Sequence, residues 1–120
     1  MKILIIEDDY SLADNITALL KVKGYEVGFA PDGEAGIETA RQMHPDVILL
    51  DIMIPKGGGF DACRILRGDP QTMKAKIIMM TGLDRIGDVD RAFACGAADY
   101  LIKPFDSERL FKKIDKVTRA

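Results

Sequence analysis

The sequence has few of the residues on which metal and redox chemistry most often depend. Its 120 residues include no tryptophan, one histidine and two cysteines. Cys63 and Cys95 lack the CxxC spacing of zinc and dithiol sites, and two isolated cysteines make no disulfide framework. His44 precedes Pro45 at the predicted end of a helix, where a cation or cap is favourable. We therefore predict no zinc site, no thiol redox chemistry and no catalytic histidine.

Long apolar segments and a strong charge imbalance are also absent. No apolar stretch approaches the roughly 20 residues that a membrane-spanning helix needs, and Met1 and Lys2 lead into a strand without a signal peptide. A formal net charge of -2 gives no general attraction to nucleic-acid phosphates. The composition, 48% hydrophobic and 30% charged, suits one globular domain over residues 1–120. We expect a cytoplasmic domain that binds neither membranes nor nucleic acid directly.

Apolar strand-like runs and helix-like segments alternate five times along the chain. Short runs rich in β-branched residues predict strands, and apolar residues at helical spacing predict helices. The predicted strands are Lys2–Ile6, Tyr25–Ala30, Asp46–Leu50, Lys76–Met80 and Ala98–Ile102, and the predicted helices are Ser11–Lys23, Glu34–Met43, Phe60–Arg67, Gly87–Cys95 and Ser107–Val117. Such a pattern predicts an α/β fold, with a doubly wound parallel sheet covered on both faces.

Four of the predicted strands end at polar residues. Glu7 and Asp8 follow the first strand, Asp51 the third, Thr81 the fourth and Lys103 the fifth. The carboxyl ends of parallel strands lie at one edge of the sheet, so these side chains should meet there. Carboxylates held together repel one another, and Mg²⁺ relieves that repulsion. A lysine and a hydroxyl suit phosphoryl oxygens, which makes Asp51 a candidate nucleophile for aspartyl-phosphate formation.

Together these motifs resemble the receiver domain of two-component response regulators, the CheY-like family, over essentially the whole chain. The matching motifs are Ile-Ile-Glu7-Asp8-Asp9, Val-Ile-Leu-Leu-Asp51-Ile-Met-Ile-Pro55, Met-Met-Thr81-Gly82 and Tyr100-Leu-Ile-Lys103-Pro104-Phe105. Each motif is weak alone, but their combination in this order is specific. The resemblance implies a flavodoxin-like, five-stranded parallel sheet of strand order 2-1-3-4-5 with five helices.

The resemblance also implies a role for each residue of the site. Asp51 would accept a phosphoryl group from a sensor histidine kinase or a histidine phosphotransfer protein. Asp8 and Asp51 would bind Mg²⁺ directly, Glu7 would bind it more often through water, and Met53 would contribute its backbone carbonyl. Lys103 would pair with Asp51 or its phosphoryl group and would precede a cis proline bond. Such a domain catalyses only its own phosphorylation and dephosphorylation, and is not otherwise an enzyme.

A signalling switch is the function that the resemblance implies. Thr81 would donate to a phosphoryl oxygen, and Tyr100 would turn inward as the threonine moves. The face formed by Gly87–Cys95, Ala98–Ile102 and Ser107–Val117 would then bind a downstream effector protein or domain, or a second copy of the chain in a phosphorylation-dependent homodimer. Phosphorylation can shift the domain from its resting to its signalling state only if the phosphoryl group interacts differently with these two states.

Two other functions fit parts of the pattern. Phosphatases and phosphotransferases of the haloacid dehalogenase type also use Mg²⁺ and a strand-end aspartate, but they carry a second aspartate where this chain has Met53. Flavodoxins share the architecture and bind a flavin phosphate at the sheet edge. Glu7, Asp8 and Asp9 would repel that phosphate.

The lifetime of the phosphoryl group is a further expectation. Met53 and Leu83, two residues after Asp51 and Thr81, flank the path by which water reaches the phosphoryl group in receivers. Both are apolar and cannot orient an attacking water. We therefore hypothesise slow self-dephosphorylation.

Overall fold

The alternation of strands and helices predicted from the sequence is confirmed. The computed structural model describes residues 1–82 and 87–119. Its elements are β1 (Lys2–Ile6), α1 (Tyr10–Val22), β2 (Glu26–Ala30), α2 (Gly33–Met43), β3 (Val47–Asp51), α3 (Gly59–Gly68), β4 (Lys76–Gly82), α4 (Val89–Ala94), β5 (Asp99–Lys103) and α5 (Ser107–Thr118). All bounds lie within two residues of the predicted ones. The helix α4 is shorter than the predicted Gly87–Cys95, and β4 continues through Thr81.

The five strands form a parallel sheet in the order β2-β1-β3-β4-β5, as predicted. Their register aligns the strand ends that carry polar residues. Ile6 pairs with Leu50 in β3, so Glu7 follows β1 at the level where Asp51 ends β3. Asp51 in turn pairs with Met80, and Gly82 pairs with Lys103.

Each face of the sheet is covered by its own helices. Successive side chains of a strand point to opposite faces, so Ile3 and Ile5 pack on one side and Leu4 and Ile6 on the other. The first side holds buried residues of α1 and α5, and the second holds buried residues of α2, α3 and α4. The inner runs Ile3–Ile6, Val47–Leu50 and Ile77–Met80 are wholly apolar because both faces of these strands are buried.

Aspartate side chains cap the amino-terminal ends of α1, α2 and α5. The side chains of Asp9, Asp32 and Asp106 accept hydrogen bonds from backbone N–H groups in the first turns of α1, α2 and α5, at 3.1, 2.8 and 2.9 Å. His44 ends α2 in the left-handed conformation with φ of 53°. It is a helix cap, as the sequence predicted.

Within residues 1–82 and 87–119, we find no helix with the length and apolar character needed to cross a membrane.

Candidate functional site

Three carboxylates meet at the carboxyl edge of the sheet. Glu7, Asp8 and Asp51 each offer a carboxylate oxygen, and these oxygens lie within 4.8 Å of one another. Glu7 and Asp51 are buried, whereas Asp8 is exposed. Asp9 has a different function, because its carboxylate caps α1. The predicted acidic cluster therefore forms from two of the three consecutive acids together with Asp51.

Lys103 projects from the end of β5 into this cluster. Its Nζ atom lies 2.7 Å from Glu7 Oε1 and 3.5 Å from Asp51 Oδ1. The predicted contact with Asp51 is present, but the shorter contact is with Glu7. The Lys103–Pro104 bond is cis, as the resemblance implied. One ammonium group thus faces two buried carboxylates and neutralises only part of their charge.

Burial and crowding change the acidity of Glu7. Burial raises the pKa of its carboxyl group, a hydrogen bond shared with Asp51 raises it further, and the Lys103 ammonium lowers it, with a net pKa of about 8. Glu7 Oε2 is buried and accepts no hydrogen bond from a donor within the described residues. The cluster can therefore hold a proton or a cation, and carboxylate oxygens suit Mg²⁺.

The loop after Asp51 brings backbone close to the carboxylate. Met53 N–H donates to Asp51 Oδ1 at 3.2 Å, while the Met53 side chain is 59% exposed. Gly59 N–H donates to Ile52 O at 2.9 Å. A Cβ atom at Gly59 would lie 2.5 Å from both Asp51 O and Ile52 Cα. Glycine is required at this position because the start of α3 packs directly on the end of β3.

The two predicted switch residues occupy different surroundings. Thr81 is 2% exposed near the end of β4, and its Oγ1 donates to Gly82 O at 3.4 Å. Tyr100 is half-buried in β5, opposite Met79, and its ring packs edge-on against Phe93 of α4, with 6.0 Å between the ring centroids. Leu83, the other predicted apolar neighbour of the site, lies outside the described residues.

One further buried charge was not among the predicted site residues. Asp99 is 1% exposed at the start of β5 and pairs with Lys113 and Lys116 of α5. It borders an apolar strand, as Asp51 does, and that signal was available in the sequence.

A cavity of about 900 Å³ lies at the opposite edge of the sheet and is lined by residues that include His44, Thr72 and Val117. It contains none of the predicted site residues.

Comparisons with known proteins point to one family. A family model described as the response regulator receiver domain matches residues 3–115. The DNA-binding dual master transcriptional regulator RpaA of Synechocystis is 42% identical over 118 residues, which cover 98% of this chain and 49% of RpaA. The chain thus spans about half the length of this curated relative.

Solved structures share the whole fold. The receiver domain of the sensor histidine kinase PA1611 from Pseudomonas aeruginosa, which has a magnesium ion in its active site cleft, is 30% identical with a TM-score of 0.88, and the match covers 97% of this chain and 95% of that one. The BeF3-activated N-terminal receiver domain of Klebsiella pneumoniae RstA is 32% identical with a TM-score of 0.91, and both chains are covered in full.

Proposed function

The chain belongs to the response regulator receiver domain family, and on this premise we propose that phosphorylation of Asp51 controls it as a signalling switch. Receiver domains are signalling domains of two-component systems and not enzymes that turn over external substrates. The observation that carries the proposal is the meeting of Glu7, Asp8 and Asp51 with the Lys103 ammonium at one edge of the sheet.

The proposed reaction is transfer of a phosphoryl group to Asp51. A carboxylate oxygen of Asp51 attacks the phosphorus of a phosphohistidine on a sensor histidine kinase or histidine phosphotransfer protein. The new O–P bond forms, the P–N bond breaks, and the imidazole nitrogen leaves with the electron pair. Met53 N–H and Lys103 orient the carboxylate through their contacts with Oδ1. Positioning and charge stabilisation suffice for this chemistry.

Mg²⁺ is the proposed cofactor, and the acidic cluster fits it. Asp8 and Asp51 would bind it directly, Glu7 through water, and Met53 through its backbone carbonyl. Bound Mg²⁺ supplies positive charge that stabilises the phosphoryl oxygens during transfer. The buried Glu7 Oε2, which accepts no hydrogen bond from a described donor, supports the assignment because a water molecule bound to the cation would donate to it.

Thr81 and Tyr100 are proposed to carry the signal from the phosphoryl group. Thr81 sits near the end of β4, within reach of the edge that holds Asp51. Tyr100 contacts α4 through Phe93 and α5 through Lys113. A turn of its ring would therefore alter the face formed by α4, β5 and α5. That face is the proposed binding surface for a downstream effector or a second copy of the chain.

The proposed partners of these 120 residues are proteins. RpaA is named as DNA-binding, but this chain spans only about half of its length. The net charge of -2 favours a domain that does not contact nucleic acid itself. We propose a cytoplasmic location, because the phosphoryl donor would be a kinase acting inside the cell. Membership of the receiver family supports this function over the haloacid dehalogenase and flavodoxin alternatives.

Radiolabelled acetyl phosphate with Mg²⁺ tests the proposal. The wild-type protein should incorporate label, and Asp51→Asn should reduce incorporation to background. Asp61→Asn is the matched control, because Asp61 is an exposed aspartate on α3 that pairs with Arg64 and should leave labelling unchanged. Labelling that survives Asp51→Asn would show that the acceptor is elsewhere.

A further inference from the structure

Asp99 is a buried carboxylate outside the acidic cluster. Lys113 Nζ lies 3.0 Å from its Oδ1 atom, and Lys116 Nζ faces Oδ2 at 3.1 Å without hydrogen-bond geometry. The Lys116 side chain is 68% exposed and that of Lys113 only 27%. Exposed ion pairs contribute little because water screens them. Lys113 is therefore the main partner that offsets the burial of this charge.

The surroundings of Asp99 keep it ionised. Burial by itself raises the pKa of the carboxyl group, but the backbone N–H of Tyr100 and the ammonium groups of Lys113 and Lys116 outweigh it and hold the pKa below its usual range. Asp99 is thus an anion at neutral pH. The Lys113 ammonium is in turn held in place, because moving it would leave a buried charge with a weaker partner.

Lys113 also contacts the ring of Tyr100. Its Nζ atom lies 4.5 Å from the ring centroid, within the range of a cation–π interaction. The Tyr100 backbone N–H donates to Asp99 Oδ1 at 2.8 Å, so the three residues form a closed set of contacts. Phe93 of α4 touches the same ring. The ring is therefore held between α4 and α5 by groups that are themselves fixed.

We propose that Lys113, anchored on Asp99, is a positioning residue that keeps the Tyr100 ring in its place between α4 and α5. The inference rests on the proposed function, since it concerns the contacts that oppose the inward turn of the Tyr100 ring. A turn of the ring toward Thr81 would separate it from Lys113, which cannot follow because Asp99 holds it. Lys112 offers no replacement, as it pairs with Glu108 at 3.3 Å. The phosphoryl group must therefore overcome this contact to move the ring.

Fluorine NMR of the unphosphorylated protein labelled with fluorotyrosine tests the position of the ring directly. Tyr100→Phe identifies the resonance of Tyr100. Lys113→Met should shift and broaden that resonance, because the ring gains a second position, and Lys113→Arg should restore it. Lys112→Met is the matched control, since Lys112 is 76% exposed on the same helix. A Lys113→Met resonance identical to that of the wild type in position and width would overturn the proposal.

Binding of beryllofluoride in the presence of Mg²⁺ tests the coupling to Asp51. If Lys113 opposes the turn, Lys113→Met should bind beryllofluoride about two- to fivefold more tightly, and Lys112→Met should bind it as the wild type does. Equal affinities for Lys113→Met and wild type would overturn the coupling. A wild-type protein that does not bind beryllofluoride would instead contradict the proposed function, and the NMR comparison would still decide the role of Lys113.

Discussion

Lys103 Nζ lies closer to Glu7 Oε1, at 2.7 Å, than to the proposed phosphoacceptor, whose Oδ1 is 3.5 Å away. Glu7 therefore competes with Asp51 for the only ammonium group found near both carboxylates in the described residues. Mg²⁺ bound by the acidic cluster would displace the proton of Glu7 and compensate the charge of its carboxylate, which would leave Lys103 available to Asp51 or its phosphoryl group. Metal binding and phosphoryl transfer are then linked through one salt bridge.

The stability of the metal-free protein should depend on pH through Glu7. Folding raises the pKa of Glu7 from 4.5 to about 8. Between these values the folded protein holds a proton that the unfolded chain has released, so the free energy of unfolding should fall as the pH rises. The slope from this group is at most about 1.4 kcal/mol per pH unit. Urea unfolding with a chelator, between about pH 5 and pH 8, measures it.

Glu7→Gln should remove this part of the slope, because the amide does not titrate. Glu108→Gln is the control, since Glu108 is an exposed residue paired with Lys112 and should keep the wild-type slope. Parallel curves for wild type and Glu7→Gln would contradict the assignment.

Mg²⁺ should bind more tightly as the pH rises toward 8. Binding must displace the proton that Glu7 holds, so the affinity should increase by up to about tenfold per pH unit below the pKa of Glu7. Calorimetry in buffers of different ionisation enthalpy counts the protons released. Asp8→Asn should weaken binding, and Asp9→Asn should not, because asparagine also caps a helix. Binding without proton release would argue against a protonated Glu7.

Gly59→Ala should disrupt the loop between Asp51 and α3. The added Cβ would meet Asp51 O and Ile52 Cα at 2.5 Å, and overpacking of this kind costs about 1–3 kcal/mol. We expect a lower free energy of unfolding and slower labelling by acetyl phosphate. Gly68→Ala provides the comparison, since nothing lies within 4 Å of a Cβ at the last residue of α3. If both variants behave alike, the close approach at Gly59 is unimportant.

Met53→Asn should shorten the lifetime of the phosphoryl group. The exposed Met53 side chain cannot orient water, whereas an amide can, so phosphate loss should accelerate several-fold or more. The decay of label after removal of acetyl phosphate measures the rate. Met73→Asn carries the same change at another exposed methionine and should decay at the wild-type rate. An unchanged rate in Met53→Asn, alone and combined with Leu83→Glu, would refute the hypothesis of slow self-dephosphorylation.

Much of the site could be predicted because each of its residues interrupts or ends an apolar run. Asp51 follows four buried residues of β3, and the parallel sheet places all such ends at one edge. Asp99 begins β5 by the same pattern but was not recognised, because the run after it includes the half-buried Tyr100 and Ile102. Among the three consecutive acids, only the family resemblance assigned Glu7 and Asp8 to the metal, and the cap at Asp9 was not predicted.

The order of residue types along the chain determined the strands, the helices and the edge of the sheet at which the polar side chains gather. These features depend on local periodicity and on the handedness of each crossover. Only the tertiary structure decided that the shortest contact of Lys103 is with Glu7 and that Asp9 caps α1. The same holds for Lys113, which contacts both Asp99 and the ring of Tyr100. Such contacts depend on distances of a few ångströms between residues as many as 96 positions apart, and those distances are set by packing rather than by sequence spacing.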